Sequence, residues 1–190
     1  MESAAQKKGR LREELRRDRE LRFTPESWLH LLQTSELREA KIIASYHSYG
    51  FEPETKDLNE EIIRRGKILL LPRTLPDNDI EWVIWNGNAS NLKRRGKTQE
   101  PIGPKYDDEQ LIDVVIVPAL AIDPVGNRMG QGGGSYDRAL SRTHAWKVGI
   151  VGAAELIHHN VPTEPHDQPL NAAATPTLLV RFNQDDLNRL

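Results

Sequence analysis

The stretch GNRMGQGGGSYDRAL, residues 126–140, carries five glycines in nine positions with an arginine among them, then runs into a helix-like segment. Consecutive glycines have no Cβ to hold a ligand away, so the backbone can turn its N–H groups inward around an anion, and a following helix adds the positive end of its dipole. Arg128 can add planar, two-pronged contact with phosphate oxygens. A tight strand-to-helix crossover is the bland alternative; it accounts for one glycine better than for five. The pattern points to phosphate binding. Asp137, about one turn into the helix, could offer a hard oxygen ligand to Mg²⁺ or could equally serve the helix dipole.

Two familiar phosphate loops do not fit. A Walker loop needs Lys-Ser/Thr after its last glycine, and Gly134 is followed directly by Ser135. A dinucleotide fingerprint needs its third glycine where Ser135 stands, and it belongs to the first βα unit, whereas this loop comes late in the chain.

The elements that must position the loop alternate along the chain. Residues 7–21 are rich in Arg, Glu and Leu and favour a helix, with Leu11, Leu15 and Leu21 forming only a thin apolar stripe. Such a helix is mostly solvated, or it grips something anionic. TPESW is expected to start a second helix, with Thr24 as N-cap and Pro25 at the first helical position. KIIASYHS reads as a strand, ETKDLNEEIIRRGK as a helix ending at Gly66, and ILLLPR as a buried central strand. IEWVIWN reads as a strand and residues 86–109 as a long polar loop; LIDVVIVPAL is the strongest strand in the chain. After the glycine loop come the helix SYDRALSRT, the strand KVGIVG, a His/Pro-rich connection and a last strand, PTLLVRF. This alternation predicts one domain over residues 1–190, an α/β protein in three α/β/α layers around a mostly parallel, Rossmann-like sheet. In a sheet of that kind the glycine loop lies at the carboxyl ends of the strands, where ligands sit.

Composition narrows the chemistry. The 190 residues include no cysteine, which excludes disulfides, thiolate metal sites and cysteine nucleophiles. With 37% hydrophobic and 28% charged residues the chain is expected to fold as a globular domain. The first residues are charged throughout and no later run reaches the roughly 20 apolar residues of a membrane helix, so a cytoplasmic protein without a membrane partner is expected. A net charge of −2 argues against a nucleic-acid partner, although Lys7, Lys8, Arg10, Arg12, Arg16, Arg17, Arg19 and Arg22 crowd the start.

The glycine loop resembles the Gly-x-Arg-x-Gly-x-Gly-Gly-Gly-x-Tyr-Asp-Arg signature of the 5-formyltetrahydrofolate cyclo-ligase, or methenyltetrahydrofolate synthetase, family. Other stretches agree in order and spacing: KGRLR near the start, FEPET, RRGKILLLPR, QEPIG, DVVIVPALAID and VPTEPHDQPLN. The resemblance implies a fold similar to the NagB/RpiA/CoA-transferase type and an enzyme that closes 5-formyltetrahydrofolate into 5,10-methenyltetrahydrofolate. ATP would be the co-substrate, Mg²⁺ the cofactor, ADP and phosphate the by-products, and the working unit a monomer. It further implies that Lys8 and Arg12 reach the ATP phosphates. Arg128, Gly130, Gly132, Gly133, Gly134, Ser135 and Tyr136 would wrap the triphosphate, with Arg128 and Tyr136 at the chemistry. His47 and Glu52 fall where the family contacts folate, and Asp137 and Asn171 where it holds magnesium.

The chain departs from that pattern in three places. Asn171 stands at the position matched to a second aspartate, and Asp167, four residues earlier, could compensate; Ser135 replaces a common aromatic; Gly133 stands where some relatives carry lysine. A weakened homologue that binds folate or nucleotide is therefore the alternative, with a dinucleotide-dependent oxidoreductase behind it. His158, His159, His166, Glu164 and Asp167 are irregularly spaced and are assigned no transition metal. Trp82 and Trp85 are three apart, so a strand puts them on opposite faces, both as core. LKRRGK is read as a solvated loop.

Overall fold

A computed structural model describes residues 4–182. Its centre is a seven-stranded sheet, and five of the strands are parallel: β1 (Ile42–Ala44), β2 (Ile68–Thr74), β6 (Val114–Pro118), β9 (Trp146–Ile150) and β10 (Ala172–Ala174). β3 (Ile80–Ile84) and β11 (Leu179–Arg181) run antiparallel at the two edges, giving the order β11-β10-β9-β6-β1-β2-β3. The α/β, mostly parallel sheet expected from the sequence is the one observed.

Side chains on adjacent strand positions enter opposite layers, as the two-residue period requires. Ile43, Leu69, Leu71, Val114 and Ile116 face one core with Trp28, Leu31, Leu58 and Ile62 from α3 (Lys56–Arg64) and the segment before β1. Ala44, Leu70, Val115 and Val117 face the other, with Ala139 and Leu140 of α4 (Ser135–Ser141). Trp82 belongs to this second core and Trp85 to the first, so the two indoles lie on opposite faces as expected.

Three local readings are corrected and a fourth is extended. No helix starts at Thr24 and Pro25; instead a 3₁₀ turn spans Leu29–Gln33 and a short helix, α2 (Ser35–Glu39), is capped by Thr34. Burial of Trp28, Leu31 and Leu32 overrides the local start signal. The long polar loop contains a hairpin, β4 (Leu92–Arg95) and β5 (Thr98–Pro101), turned by Gly96 at φ +59°. LKRRGK is therefore an exposed hairpin arm. β10 is a strand of three alanines, a residue type with little strand preference; β9 and β11 pair with its two edges, and its side chains enter the two cores, Ala172 and Ala174 on one face and Ala173 on the other. Finally, α1 (Ala4–Arg22) exposes most of its residues, Leu21 among them, yet it is docked: Leu11 and Leu15 pack on Leu120, Ala121, Met129 and Val161, a third, smaller core. Among the described residues no helix is long and apolar enough to cross a membrane.

Candidate active site

β1 and β6 are neighbours, but the chain leaves β1 toward β2 on one side and β6 toward β9 on the other. Their carboxyl ends thus flank a switch point, where the connecting segments diverge and leave a crevice. A cavity of about 450 Å³ opens there, in the size range of small-molecule sites. His47 and Glu52 reach it from the segment after β1, Pro72 and Thr74 from β2, Pro118 from β6, and the glycine loop from Arg128 onward.

The glycine loop is held by its own short ladder. β7 (Ala121–Ile122) pairs antiparallel with β8 (Arg128–Met129), and the turn between them is tied by the fully buried Asp123. Its carboxylate accepts from Val125 N, Asn127 N, Asn127 Nδ2 and Val161 N at 2.9–3.1 Å, which satisfies the charge without a cation. Gly126 sits in that turn at φ +90°, where a Cβ would lie 2.8 Å from both the Leu170 carbonyl oxygen and the Phe182 ring. The turn therefore fixes where Arg128 emerges. Gly134, at φ +66°, ends the loop and starts α4.

Helix α1 lies along this loop with its basic residues at positions 8, 12, 16 and 19 on one face, three or four residues apart. Lys8 donates to Glu164 at 2.8 Å and to Asp167 at 2.5 Å. Arg12 Nε donates to the Gly130 carbonyl at 3.1 Å, and Arg16 binds the Gln131 carbonyl and side chain at 2.8 and 3.0 Å. Arg19, buried, clamps Glu155 at 2.5 and 2.6 Å and caps the Ala119 carbonyl at 2.5 Å. The basic start of the chain is thus a strap across the glycine loop. Burial opposes the charge on Lys8, but Asp167 and Glu164 outweigh it and raise its pKa; the same partnership lowers that of Glu164 and, against burial, that of Asp167.

Arg128 is nearly buried and its Nη2 lies 2.8 Å from Asp137 Oδ1, with its Cζ 5.8 Å from the Tyr136 ring centre. Its Nε and the Tyr136 hydroxyl are buried beside the cavity without a hydrogen-bond partner among the described residues, and each is a polar atom whose desolvation is uncompensated there. Tyr136 packs edge-on against Trp82, with ring centres 6.3 Å apart. Burial, then the nearby Glu52, raise the Tyr136 pKa, so it stays a neutral phenol. Glu52 is itself buried and its carboxyl is pushed up to about 7 by desolvation, against the Tyr49 N–H, Arg19 and the Gln131 side chain.

Lys8, Arg12, His47, Glu52, Arg128, Gly130, Gly132, Gly133, Gly134, Ser135, Tyr136 and Asp137, all candidates from the sequence, line this one cavity. Asn171, expected from the sequence at the magnesium, does not. It precedes β10 at the amino end of the parallel strands, its Oδ1 accepts from Lys147 N at 2.8 Å, and its backbone N–H bonds the Lys147 carbonyl. That end of the sheet is opposite the cavity.

Instead, Glu164, His166 and Asp167 converge on the cavity wall, each offering one ligand atom within 4.8 Å of the others. Gln168 N donates to Asp137 Oδ1 at 3.2 Å and so brings this segment against α4. His158 and His159 stay outside. Irregular spacing hid the grouping, because the turn at residues 164–167 closes it through Asp167 accepting from Glu164 N at 2.7 Å. Sequence reasoning also left Glu100 without a role: it is a buried carboxylate on β5, in the same cavity, and only the hairpin puts it there.

The comparisons with known proteins agree with this architecture. The family model described as "5-formyltetrahydrofolate cyclo-ligase family" matches residues 4–176. The 5-formyltetrahydrofolate cyclo-ligase of Escherichia coli K12 is 32% identical over 147 residues, covering 73% of this chain and 79% of that protein. The enzyme of the same name from Mycolicibacterium smegmatis is 30% identical over 158 residues, covering 78% of each. In fold, the chain is similar to the 5,10-methenyltetrahydrofolate synthetase of Aquifex aeolicus, with a TM-score of 0.79, 24% identity and 93% of each chain covered. With a family match from Lys8 through the glycine loop to Asp167, the chain belongs to the 5-formyltetrahydrofolate cyclo-ligase family.

Proposed function

We propose that this protein converts 5-formyltetrahydrofolate to 5,10-methenyltetrahydrofolate with consumption of ATP, at the cavity between the strap helix and the glycine loop. The observation that carries the reading is Arg128, buried at the wall of a glycine-lined cavity with an unpartnered Nε. A formamide oxygen is a poor leaving group. Transfer of the ATP γ-phosphoryl to it releases ADP and leaves an O-phosphorylated formyl group; N10 then attacks the formyl carbon, the C–O bond breaks, and phosphate departs as N10 loses its proton. Such a reaction asks chiefly for alignment and for stabilisation of charge on the phosphoryl group.

In this reading Arg128, Lys8 and Arg12 meet the phosphates, and the glycine loop lets the triphosphate approach the backbone. Tyr136 offers a neutral hydroxyl beside Arg128, and Glu52 with His47 face the folate. Oxygen donors at the wall suit a hard divalent cation. Asp137 Oδ1 is engaged by Arg128 and Gln168 while Oδ2 takes no hydrogen bond among the described residues, and the Glu164–Asp167 pair already holds a cation in the Lys8 ammonium. Asp137 with Asp167 and Glu164, and not Asn171, would hold magnesium. Bound there, magnesium would screen the negative charge of the phosphates. Because all of these residues come from one chain, a monomer suffices for the site.

The test is absorbance at the methenyltetrahydrofolate band after mixing protein, 5-formyltetrahydrofolate, Mg²⁺ and ATP. The rise should require ATP, and Arg128→Ala should slow it by about 100-fold or more, the scale for losing one preorganised charge stabiliser. A protein that binds both ligands and never forms the product would refute the proposal.

A further inference from the structure

Glu100 is 8% exposed, and its side chain is held on one oxygen only. Thr74 donates to Oε1 twice, from its hydroxyl at 2.6 Å and from its backbone N–H at 3.3 Å. Oε2 has Arg95 Nη1 at 3.7 Å, an ion-pair distance too long for a hydrogen bond, and takes no hydrogen bond among the described residues. Burying a carboxylate costs several kcal/mol in practice unless its lone pairs are used. One side of this group is used by the protein. The rest of it belongs to the cavity, whose wall here is made by Pro72, Thr74 and Thr98.

The cavity thus holds two chemically different places. At the glycine loop and strap helix, Arg128, Lys8 and Arg12 stand among acidic partners and suit phosphates, whereas at β2 and the hairpin Glu100 offers a carboxylate oxygen without a hydrogen bond. A carboxylate is an acceptor on both oxygens and pairs best with two parallel N–H donors. A 2-amino-4-oxo-pyrimidine edge offers that pair, in its ring N3–H and 2-amino group. Adenine does not: beside its 6-amino donor stands an acceptor nitrogen. In a pterin this donor edge belongs to the pyrimidine ring and N5 to the other ring. A formyl group at N5 turned toward the glycine loop therefore leaves the donor edge free to meet a different wall of the cavity.

We propose that Glu100 recognises the 2-amino-4-oxo edge of the folate pterin ring and thereby sets substrate specificity and ring orientation. The inference rests on the folate reading of the cavity. Thr74 positions the carboxylate by fixing Oε1, and Arg95 supports its charge from the solvent side. Guanine carries the same donor edge, so a purine nucleotide is the competing source of this chemistry.

The experiment is calorimetric binding of 5-formyltetrahydrofolate and, separately, of ATP, to the unaltered protein and to E100Q. Glutamine keeps the size and can still accept from Thr74, but it turns an N–H₂ toward the ligand's donors. The expected result is a 10- to 100-fold weaker dissociation constant for the folate, about the loss of a charged hydrogen-bonded contact, with ATP affinity unchanged within about twofold. An analogue lacking the 2-amino group should lose about as much against the unaltered protein and little more against E100Q. Folate affinity equal in the two proteins, or a loss that appears for ATP or GTP instead, overturns the assignment. Should E100Q fail to fold, the analogue alone decides: discrimination below about threefold by the unaltered protein overturns it. Failure of the unaltered protein to bind 5-formyltetrahydrofolate at all would instead refute the folate reading, so the two failures are distinguishable.

Discussion

Replacing Glu52 by glutamine should change the pH dependence of stability more than its value at any one pH. Glu52 is 7% exposed, accepts from Tyr49 N at 3.2 Å, and has no cation bonded to it. The nearest candidate, Arg19, spends its guanidinium on Glu155 and the Ala119 carbonyl, while Tyr46 and Tyr136 add apolar bulk and neutral phenols. Desolvation therefore dominates and moves the carboxyl from 4.5 to about 7. The folded protein holds this proton more tightly than the unfolded chain. The stability it contributes is full below pH 4.5, declines as pH rises toward 7, and is lost above. The whole decline is about 3 kcal/mol at 1.36 kcal/mol per unit. Urea unfolding between about pH 4 and pH 8 should show the unaltered protein losing that amount relative to Glu52→Gln, which has no proton to release there. The glutamine variant should be the more stable protein at the alkaline end. Parallel stability profiles for the two would refute the claim that Glu52 is buried without a counter-charge.

Gly126→Ala should destabilise by about 2 kcal/mol or more, because it combines a left-handed backbone with contacts of 2.8 Å to Leu170 and Phe182; a denaturant midpoint within error of the unaltered protein would contradict the turn geometry. Asn171→Asp should leave the magnesium concentration for half-maximal turnover unchanged, since its side chain caps Lys147 N at the far end of the sheet, whereas Asp167→Asn should raise it severalfold. A reversed ranking in that titration would return Asn171 to the metal site.

The fold was legible where residue pattern and burial agree. ILLLPR and LIDVVIVPAL are continuous apolar runs, and both became parallel strands covered on two faces. Where local preference and tertiary need part, sequence reading failed. Three alanines form β10 because Gly149 leaves room on β9 for Ile122 and Leu170, whose side chains would lie within 2.6 Å of any Cβ there, and a thin strand completes that layer. Thr24 and Pro25 carry a sound helix-start signal, yet the three large apolar side chains that follow needed the core more than the chain needed a helix. The hairpin at residues 92–101 has the opposite character: mostly exposed, weakly strand-forming, and fixed by one left-handed glycine.

The candidate site divides along the same line. Residue type and local spacing marked the glycine loop, and they marked the basic start of the chain without showing what it meets: positions 8, 12, 16 and 19 contact the acidic turn, the glycine loop and Glu155 from one face. They were not enough for the carboxylates. Asp167 and Asn171 are four residues apart, and either could be matched to an acidic position in a linear pattern. What separates them is the sheet. Between them the chain passes from the carboxyl ends of the strands, where Asp167 meets Lys8, to the amino end of β10, where Asn171 meets Lys147. A side chain of suitable chemistry at the wrong end of a parallel strand cannot reach the crevice, since each strand residue adds about 3.3 Å. Glu100 illustrates the converse. Nothing in QEPIG marks it as a ligand; the hairpin carries it across β2 to Thr74, and the burial that results leaves one carboxylate oxygen for a donor that the protein itself does not provide.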